Sequence, residues 1–325
     1  MHRLLNTPIT VNGMELKNRL VLPPMATGKS KDGQVSEELL SYYDNMSRGG
    51  YLGLLITEHA YIDKEGKASA EQVSLGSDCD PVKMKELVSL LHKNGVKAAA
   101  QINHAGSRTY GAKAYCPSGL QVPFGKPNET AELITMSKED IQRVKEQFVQ
   151  AARRAKEAGY DAVEIHAAHG YLLNQFYSPL TNHRTDSYGG TLENRIRLIQ
   201  EIIHDVRNAV GKEYPLLLRL GGCDYAEGGS TEEDAAKACA VLSAEIDMLD
   251  ISGGLRGFTR PEHNEPGYFS SMTEKIREKV DIPVILTGGV TSGSEAEELL
   301  REGKADLIGV ARAILKDPDW PAKEL

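Results

Sequence analysis

From about Leu20 to Val310 the chain alternates short apolar runs with longer amphipathic ones. The short runs have the length of strands, and the longer ones repeat their apolar positions at helical spacing. This alternation predicts repeated strand–helix units around a parallel sheet. The predicted strands are Leu20–Pro23, Gly53–Thr57, Val96–Ile102, Ala162–His166, Leu216–Leu220, Met248–Ser252, Val284–Thr287 and Leu307–Val310.

Helical stretches separate these strands, and several begin with capping residues such as Ser36 and Ser137. Eight strands with intervening helices predict an α/β fold, a (β/α)8 TIM barrel that takes up residues 1–325 as a single domain. The rival is an open doubly wound sheet, whose glycine fingerprint after the first strand is absent here. The predicted helices are Ser36–Ser47, Pro81–Lys93, Lys138–Ala158, Leu192–Val210, Glu232–Ala244, Ser271–Lys279 and Ser294–Arg301.

Two segments stand outside the repeat. Thr7–Lys17 predicts a β-hairpin with Asn12-Gly13 at its turn, placed to cover the floor of the barrel. Asn103–Thr135 follows the third strand, is rich in Gly, Pro, Ser and Tyr, and is too long for an ordinary connection. Such a loop is typical of a lid or a substrate wall, and the alternative is a disordered surface excursion.

Composition excludes several classes of protein. A net charge of −8, a pI near 5.7 and the absence of a Lys/Arg run argue against nucleic-acid binding. The four cysteines are far apart and form no CxxC pair, so neither a metal or iron–sulfur site nor a disulfide framework is predicted. No signal-peptide core or membrane-length apolar run occurs, so we predict a cytoplasmic protein with a small-molecule substrate and no membrane partner, and leave homo-oligomerisation open.

The densest group of chemically capable residues follows the fourth predicted strand. His166, His169 and Tyr171 leave that strand together, at the end where a barrel places its chemistry. Two imidazoles can hold one electronegative oxygen, and a phenol can deliver a proton. A single histidine there is more often a structural residue whose hydrogen bonds are satisfied within the protein. The cluster alone therefore supports a catalytic and a structural role about equally.

Other strand ends point to a phosphorylated cofactor. Gly288-Gly289 follows the seventh strand and Arg312 follows the eighth, which is where barrels often bind phosphate. Gln101 and Arg219 end the third and fifth strands: an amide suits a ring with an amide-like edge, and a cation suits the N1 edge of a reduced flavin. The alternative for Arg219 is an internal salt bridge. Together these residues describe FMN better than a sugar phosphate.

Ordered short motifs run through the whole chain. They are Lys17-Asn18-Arg19 leading into Pro23-Pro24-Met25, Gln101-Ile102 with His104-Ala105-Gly106, His166 to Tyr171, Asn174-Gln175-Phe176, Ser178-Pro179, Asn182, Arg184-Thr185-Asp186, Tyr188-Gly189-Gly190, Glu193-Asn194-Arg195 and Asp306 to Arg312. With them the chain resembles the old yellow enzyme family of FMN-dependent ene-reductases from Leu4 to Trp320.

The resemblance implies an NAD(P)H-dependent FMN oxidoreductase that reduces activated C=C bonds, in unsaturated carbonyl or nitro compounds, by a ping-pong hydride transfer through flavin N5. His166 and His169 would bind the substrate oxygen, and Tyr171 would be the proton donor. Reduced nicotinamide, NADPH or NADH, would supply the electrons. The implied FMN-binding residues are Pro23, Pro24, Met25, Ala26, Ala60, Gln101, Arg219, Gly288, Gly289, Ala311 and Arg312.

The chain departs from the family pattern at several positions. Ala26 stands where many bacterial members carry a cysteine that tunes the flavin, and Gly28 lies where they tend to have tyrosine. Ala311 replaces the usual glycine before the phosphate arginine, a change that keeps the backbone N–H. The sequence ends at Leu325 without the tail by which some relatives insert an arginine into a neighbouring subunit, so no shared active site is inferred.

Three other functions remain as alternatives. The chain could be the barrel portion of a multidomain enzyme of the 2,4-dienoyl-CoA reductase type, although cluster-type cysteines are absent. It could be a non-redox sugar-phosphate enzyme, but the strand ends offer neither a Schiff-base lysine nor a catalytic acid pair. The third alternative is a protein that binds flavin but catalyses no reaction. The intact His166, His169 and Tyr171 argue against it.

Overall fold

The computed structural model describes residues 3–325 and has eight parallel strands closed into a barrel. The barrel closes between its first and last strands, where Leu20 pairs with Ile308. The (β/α)8 TIM-barrel prediction is confirmed, with each predicted strand in place. The strands are β1 (Ile9–Val11), β2 (Met14–Leu16), β3 (Leu20–Leu22), β4 (Leu54–Tyr61), β5 (Lys97–Asn103), β6 (Lys113–Cys116), β7 (Glu132–Thr135), β8 (Ala162–Ala167), β9 (Leu216–Cys223), β10 (Met248–Gly253), β11 (Val284–Thr287) and β12 (Leu307–Gly309).

Helices surround the barrel and bury their apolar faces against it. The seven predicted helices are present, with ends shifted by a few residues, and three short ones were not predicted: α4, α9 and α10. The helices are α1 (Glu37–Ser47), α2 (Pro81–Lys93), α3 (Lys138–Ala158), α4 (Leu172–Tyr177), α5 (Leu192–Val210), α6 (Glu232–Leu242), α7 (Ser270–Arg277), α8 (Gly293–Arg301), α9 (Arg312–Lys316) and α10 (Trp320–Glu324).

The longest helix, α3, shows how local sequence sets these elements. It begins with a capping box, in which the Ser137 side chain accepts from the Asp140 amide and the Asp140 carboxylate accepts from the Ser137 amide. It ends at Gly159, whose φ of +97° closes the last turn in a left-handed conformation. Between these caps, apolar residues such as Val144 and Phe148 recur at helical spacing and are buried against the barrel.

The N-terminal hairpin closes one end of the barrel, as predicted. β1 and β2 pair antiparallel around Asn12 and Gly13, which have φ values of +44° and +79°. Val11, Met14 and Leu16 are buried in a cluster with the inward-facing residues of the barrel strands. Because this end is filled with apolar side chains, a ligand reaches the barrel from the carboxyl ends of its strands.

The long segment after β5 is ordered and carries its own structure. β6 and β7 form a two-stranded parallel sheet, with Lys113 opposite Glu132 and Cys116 opposite Thr135. This pairing contradicts the alternative of a disordered excursion and fits a wall built over the carboxyl end of the barrel. Among the described residues, none of the helices has both the length and the apolar character that crossing a bilayer requires.

Candidate functional site

His166, His169 and Tyr171 come together at the carboxyl end of β8. His166 belongs to the strand itself, and Tyr171 is the residue at which α4 begins. The ring centroid of His166 lies 5.0 Å from that of His169 and 5.2 Å from that of Tyr171. His166 is almost fully buried, whereas His169 and Tyr171 are partly exposed. The predicted cluster therefore exists, and it opens toward the face where ligands can enter.

The loop backbone fixes how the two imidazoles present their nitrogens. The Ala168 amide donates to His166 Nδ1 over 3.2 Å, so in the neutral ring the proton is on Nε2. His169 has a φ of +59°, a left-handed conformation that histidine tolerates better than most residues. Its Nε2 lies 2.8 Å from the Ser252 hydroxyl at the end of β10, whereas Nδ1 has no hydrogen-bond partner among the described residues and can face a ligand.

Both imidazoles stay neutral at physiological pH. Burial lowers the pKa of His166 well below its usual range, and the neighbouring His169 adds to this effect. Burial also lowers the pKa of His169, with Arg219 as the next contribution. Neutral N–H donors can stabilise developing negative charge on an oxygen without first having to give up a proton.

Arg108 is the charged neighbour of Tyr171. Burial raises the pKa of the Tyr171 phenol, and the positive charge of Arg108 opposes that rise. Arg108 is held by two loop carbonyls: its Nη2 donates to Phe124 over 2.8 Å and to Leu255 over 3.2 Å. Gly170 makes room for it, since a Cβ there would lie 2.6 Å from Arg108 Nε.

A buried charged cluster lies beneath the histidines. Arg219 Nε is 3.2 Å from an oxygen of Asp250, and Gln101 Nε2 donates to Glu164 over 2.6 Å. The salt bridge considered for Arg219 is therefore present, but its buried Nε has no hydrogen-bond partner among the described residues. Burial and the Asp250 carboxylate raise the pKa of Glu164, and burial raises that of Asp250, against the effect of Arg219.

Replacing Glu164 with glutamine should change how stability depends on pH. The folded-state pKa of Glu164 is raised above its ordinary value of 4.5, so the folded protein holds a proton that the unfolded chain has lost. Wild-type stability therefore falls as pH rises from about 4.5 toward that raised pKa. In Glu164→Gln this fall should shrink between pH 5 and 9, and each ~1 kcal/mol of the difference should appear as roughly 2–4 °C in Tm. Parallel Tm profiles for the two proteins would contradict the shift.

The second part of the site is a cavity of about 670 Å³ at the ends of β11 and β12. It is lined by Gly288, Gly289, Ala311 and Arg312, the four residues predicted to face a phosphate. The cavity also reaches Phe258, whose ring centroid lies 6.2 Å from that of His169. The phosphate end and the histidine cluster therefore adjoin on one face of the barrel.

The remaining predicted cofactor residues follow β3 and β4. Pro23, Pro24, Met25 and Ala26 form the loop directly after β3, at the same end of the barrel. Ala60 is different: its side chain is buried among apolar residues of the helical layer, so only its backbone is available to a ligand.

His59, the residue before Ala60, faces the site instead. Its ring centroid lies 5.1 Å from that of Tyr171 and 6.0 Å from that of His166. The sequence analysis missed this residue because the predicted second strand ended at Thr57. Simple alternation would not have found it, because Leu54 and Ile56 face the barrel interior and position 59 would then turn toward the helices. A register shift between Thr57 and Ala60 turns His59 to the site instead.

Comparison with known proteins identifies the family of this chain. Residues 4–324 match the NADH:flavin oxidoreductase / NADH oxidase family. The chain belongs to that family. It is 38% identical over 324 residues to an NADPH dehydrogenase of Halalkalibacterium halodurans, covering 98% of this chain and 93% of that protein. It is 37% identical to an NADH oxidase of Thermoanaerobacter brockii, covering 96% of this chain but only 49% of the oxidase, so it spans about half the length of that relative.

Solved structures agree with this assignment. An old yellow enzyme homologue from Zymomonas mobilis matches with a TM-score of 0.85 and 28% identity, covering 98% of this chain and 91% of that one. A 2-naphthoyl-CoA reductase matches with a TM-score of 0.93 and 26% identity, covering 99% of this chain and 52% of that one. The resemblance to old yellow enzymes is confirmed. As a member of this family, the chain is an NAD(P)H-dependent flavin oxidoreductase with FMN as its cofactor. A non-redox sugar-phosphate enzyme does not fit this family.

The residues present are suited to FMN. The Thr287 hydroxyl is buried without a hydrogen-bond partner among the described residues, at the lining of the 670 Å³ cavity. Arg312 lies in the same lining, and no carboxylate within residues 3–325 pairs with it, so its charge is available to a phosphate. At the other end, the Arg219 Nε has no hydrogen-bond partner in the described part of the chain and can donate to an electron-rich ring edge.

Proposed function

We propose that this protein reduces activated C=C bonds, such as those of α,β-unsaturated carbonyl or nitro compounds, with electrons from NADPH or NADH. The observation that carries the proposal is the meeting of His166, His169 and Tyr171 beside the cavity at the end of β11 and β12. Two neutral N–H donors and one phenol are what a reaction needs when charge develops on an oxygen and a carbon is then protonated.

In this proposal FMN binds along the carboxyl face of the barrel. Gly288, Gly289, Ala311 and Arg312 would hold its phosphate, with Thr287 as an additional donor that the sequence analysis missed. Gln101 and Arg219 would contact the ring edge, and the loop Pro23, Pro24, Met25 and Ala26, together with the backbone of Ala60, would line the rest. When bound, FMN would accept a hydride from reduced nicotinamide and pass it on to the alkene.

The protein side chains then have separate tasks. His166 donates its Nε2–H, and His169 its free nitrogen, to the oxygen of the activating group, which orients the alkene and stabilises the charge that develops there. Tyr171 delivers its phenolic proton to the carbon next to that group. The enolate carbon is far more basic than a phenolate, so this transfer runs downhill although the pKa of Tyr171 is raised. The positive charge of Arg108 stabilises the phenolate until it is reprotonated.

The direct test is the spectrum of the purified protein. Bound FMN should absorb in the visible near about 450 nm, and this absorption should bleach when NADPH or NADH is added without oxygen. Adding an enone or a nitroalkene should then restore it. A protein that neither carries nor takes up FMN would overturn the proposal, as would one whose reduced flavin is reoxidised by oxygen but by no activated alkene.

A further inference from the structure

His59 is a third imidazole in the site, and nothing in the proposed mechanism uses it. It lies near the end of β4, with its ring against Tyr171 and His166 at centroid distances of 5.1 Å and 6.0 Å. It is partly exposed, so the ring reaches the open part of the site. A side chain so placed is within reach of a ligand that His166 and Tyr171 bind.

The hydrogen bonds of Gln72 fix which nitrogen of His59 carries the proton. Gln72 Oε1 accepts from the Ala68 amide over 2.6 Å, and because a backbone N–H can only donate, the orientation of the Gln72 amide is settled. Gln72 Nε2 therefore faces His59, where it donates to the backbone carbonyl over 2.9 Å and to Nδ1 over 2.7 Å. Asn103 Nδ2 also approaches Nδ1, at 3.3 Å.

An acceptor at Nδ1 places the ring proton on Nε2. Burial lowers the pKa of His59 to about 4, with Arg219 as a further cause, so the ring is neutral and carries one N–H. Within the described residues, Nε2 has no hydrogen-bond partner. The donor that Gln72 creates is thus available to a ligand.

We propose that His59 is a substrate-binding residue that donates a third hydrogen bond, and that it makes the site favour substrates whose activating group carries two oxygens on one atom. His166 and His169 can both be satisfied by one carbonyl oxygen. The His59 ring lies beside that of His166, with 6.0 Å between the ring centroids, and both rings pack against Tyr171. A nitro group, with its second oxygen, can therefore use a donor that a ketone or aldehyde leaves unpaired. This proposal rests on the proposed alkene reduction and names the substrate class within it.

The experiment compares two inert ligands that differ in this one feature, nitrobenzene and benzaldehyde. Each is titrated into the oxidised holoenzyme, and its Kd is read from the change in flavin absorbance. His59→Phe keeps a ring but removes the donor, and should weaken nitrobenzene roughly three- to tenfold, the usual effect of one neutral hydrogen bond. The Kd of benzaldehyde should change by less than about twofold in the same variant. His59→Gln, which retains an N–H, should recover most of the nitrobenzene affinity.

Gln72→Glu provides a second variant that leaves His59 in place. A carboxylate at position 72 still accepts from Ala68 but can only accept from Nδ1, so the neutral ring must move its proton there. At pH 8.5 Nε2 then becomes an acceptor, and nitrobenzene should lose affinity as in His59→Phe. Nitrogen-15 NMR of histidine-labelled holoenzyme should show the proton on Nε2 in wild type and on Nδ1 in the variant.

Equal losses for both ligands in His59→Phe would overturn the proposal, because they would mean a change of shape. No loss in Gln72→Glu, with the tautomer shifted, would overturn it as well. These outcomes are separate from failure of the proposed function. A holoenzyme that reduces no activated alkene would contradict the proposed function, but both titrations could still be measured. A holoenzyme that reduces alkenes, but in which His59→Phe changes the Kd of both ligands equally, would contradict only the role of His59.

Discussion

Replacing Tyr171 with phenylalanine is expected to slow alkene reduction by roughly 10²- to 10⁴-fold, the usual contribution of a positioned general acid. The substitution removes only the hydroxyl and keeps the ring that packs against His166 and His59. Reduction of the bound flavin by NADPH requires no proton from this residue, so that half-reaction should stay within a few-fold of normal. Stopped-flow absorbance measures the two half-reactions separately.

Tyr110→Phe is the matched control for this variant. Tyr110 lies in the segment that follows β5, at the same end of the barrel, and its side chain is exposed. Because the pKa of Tyr171 is raised above its ordinary value of 10.0, the wild-type alkene rate should also stay flat as pH rises to about 9. If Tyr171→Phe slowed both half-reactions equally, the phenol would have a structural role and the acid would have to be sought elsewhere.

Removing the N–H donor of either His166 or His169 should cost about 10²- to 10³-fold in kcat/KM for an enone, as for other oxyanion donors. The loss should be smaller for oxidation of NADPH, whose amide oxygen gains little charge while the hydride leaves. Charge develops on the enone oxygen only during the reaction, so the histidine donors matter most there. Single and double alanine variants, with both half-reactions followed, measure this difference.

Because the backbone of His169 is left-handed, asparagine is the appropriate control substitution at this position. Alanine at a φ of +59° adds strain, whereas asparagine tolerates this region and also offers an amide N–H. His169→Asn should therefore retain much of the activity that His169→Ala loses. Similar rates for the asparagine and alanine variants would show that hydrogen bonding at this position contributes little.

The barrel itself could be predicted because each of its strands is a short apolar run between amphipathic helices. β6 and β7 could not: they lie in a segment rich in glycine and proline, and their pairing joins stretches that are apolar only in part. The short helix α9 was missed for a related reason, since Arg312–Lys316 offers too few residues for a helical period to be recognised.

The site was predictable where chemistry and strand ends coincide, as for His166, His169, Tyr171 and the residues around the phosphate cavity. Arg219 shows the limit of that reasoning. Both interpretations of it had been open, and within residues 3–325 the Asp250 salt bridge is present while the Arg219 Nε has no hydrogen-bond partner. The pairing of Arg108 with two loop carbonyls depends on contacts between segments that are distant in sequence, which a single sequence does not reveal.

Arg108 links the position of two loops to the pKa of Tyr171. The Arg108 Nη2 donates to both the Phe124 and the Leu255 carbonyl, and the same positive charge offsets the effect of burial on the pKa of Tyr171. A substrate large enough to move the Phe124 and Leu255 segments apart would also move the Arg108 guanidinium away from the Tyr171 hydroxyl. In the proposed mechanism, the size of a substrate would therefore affect the proton-transfer step after the substrate has bound.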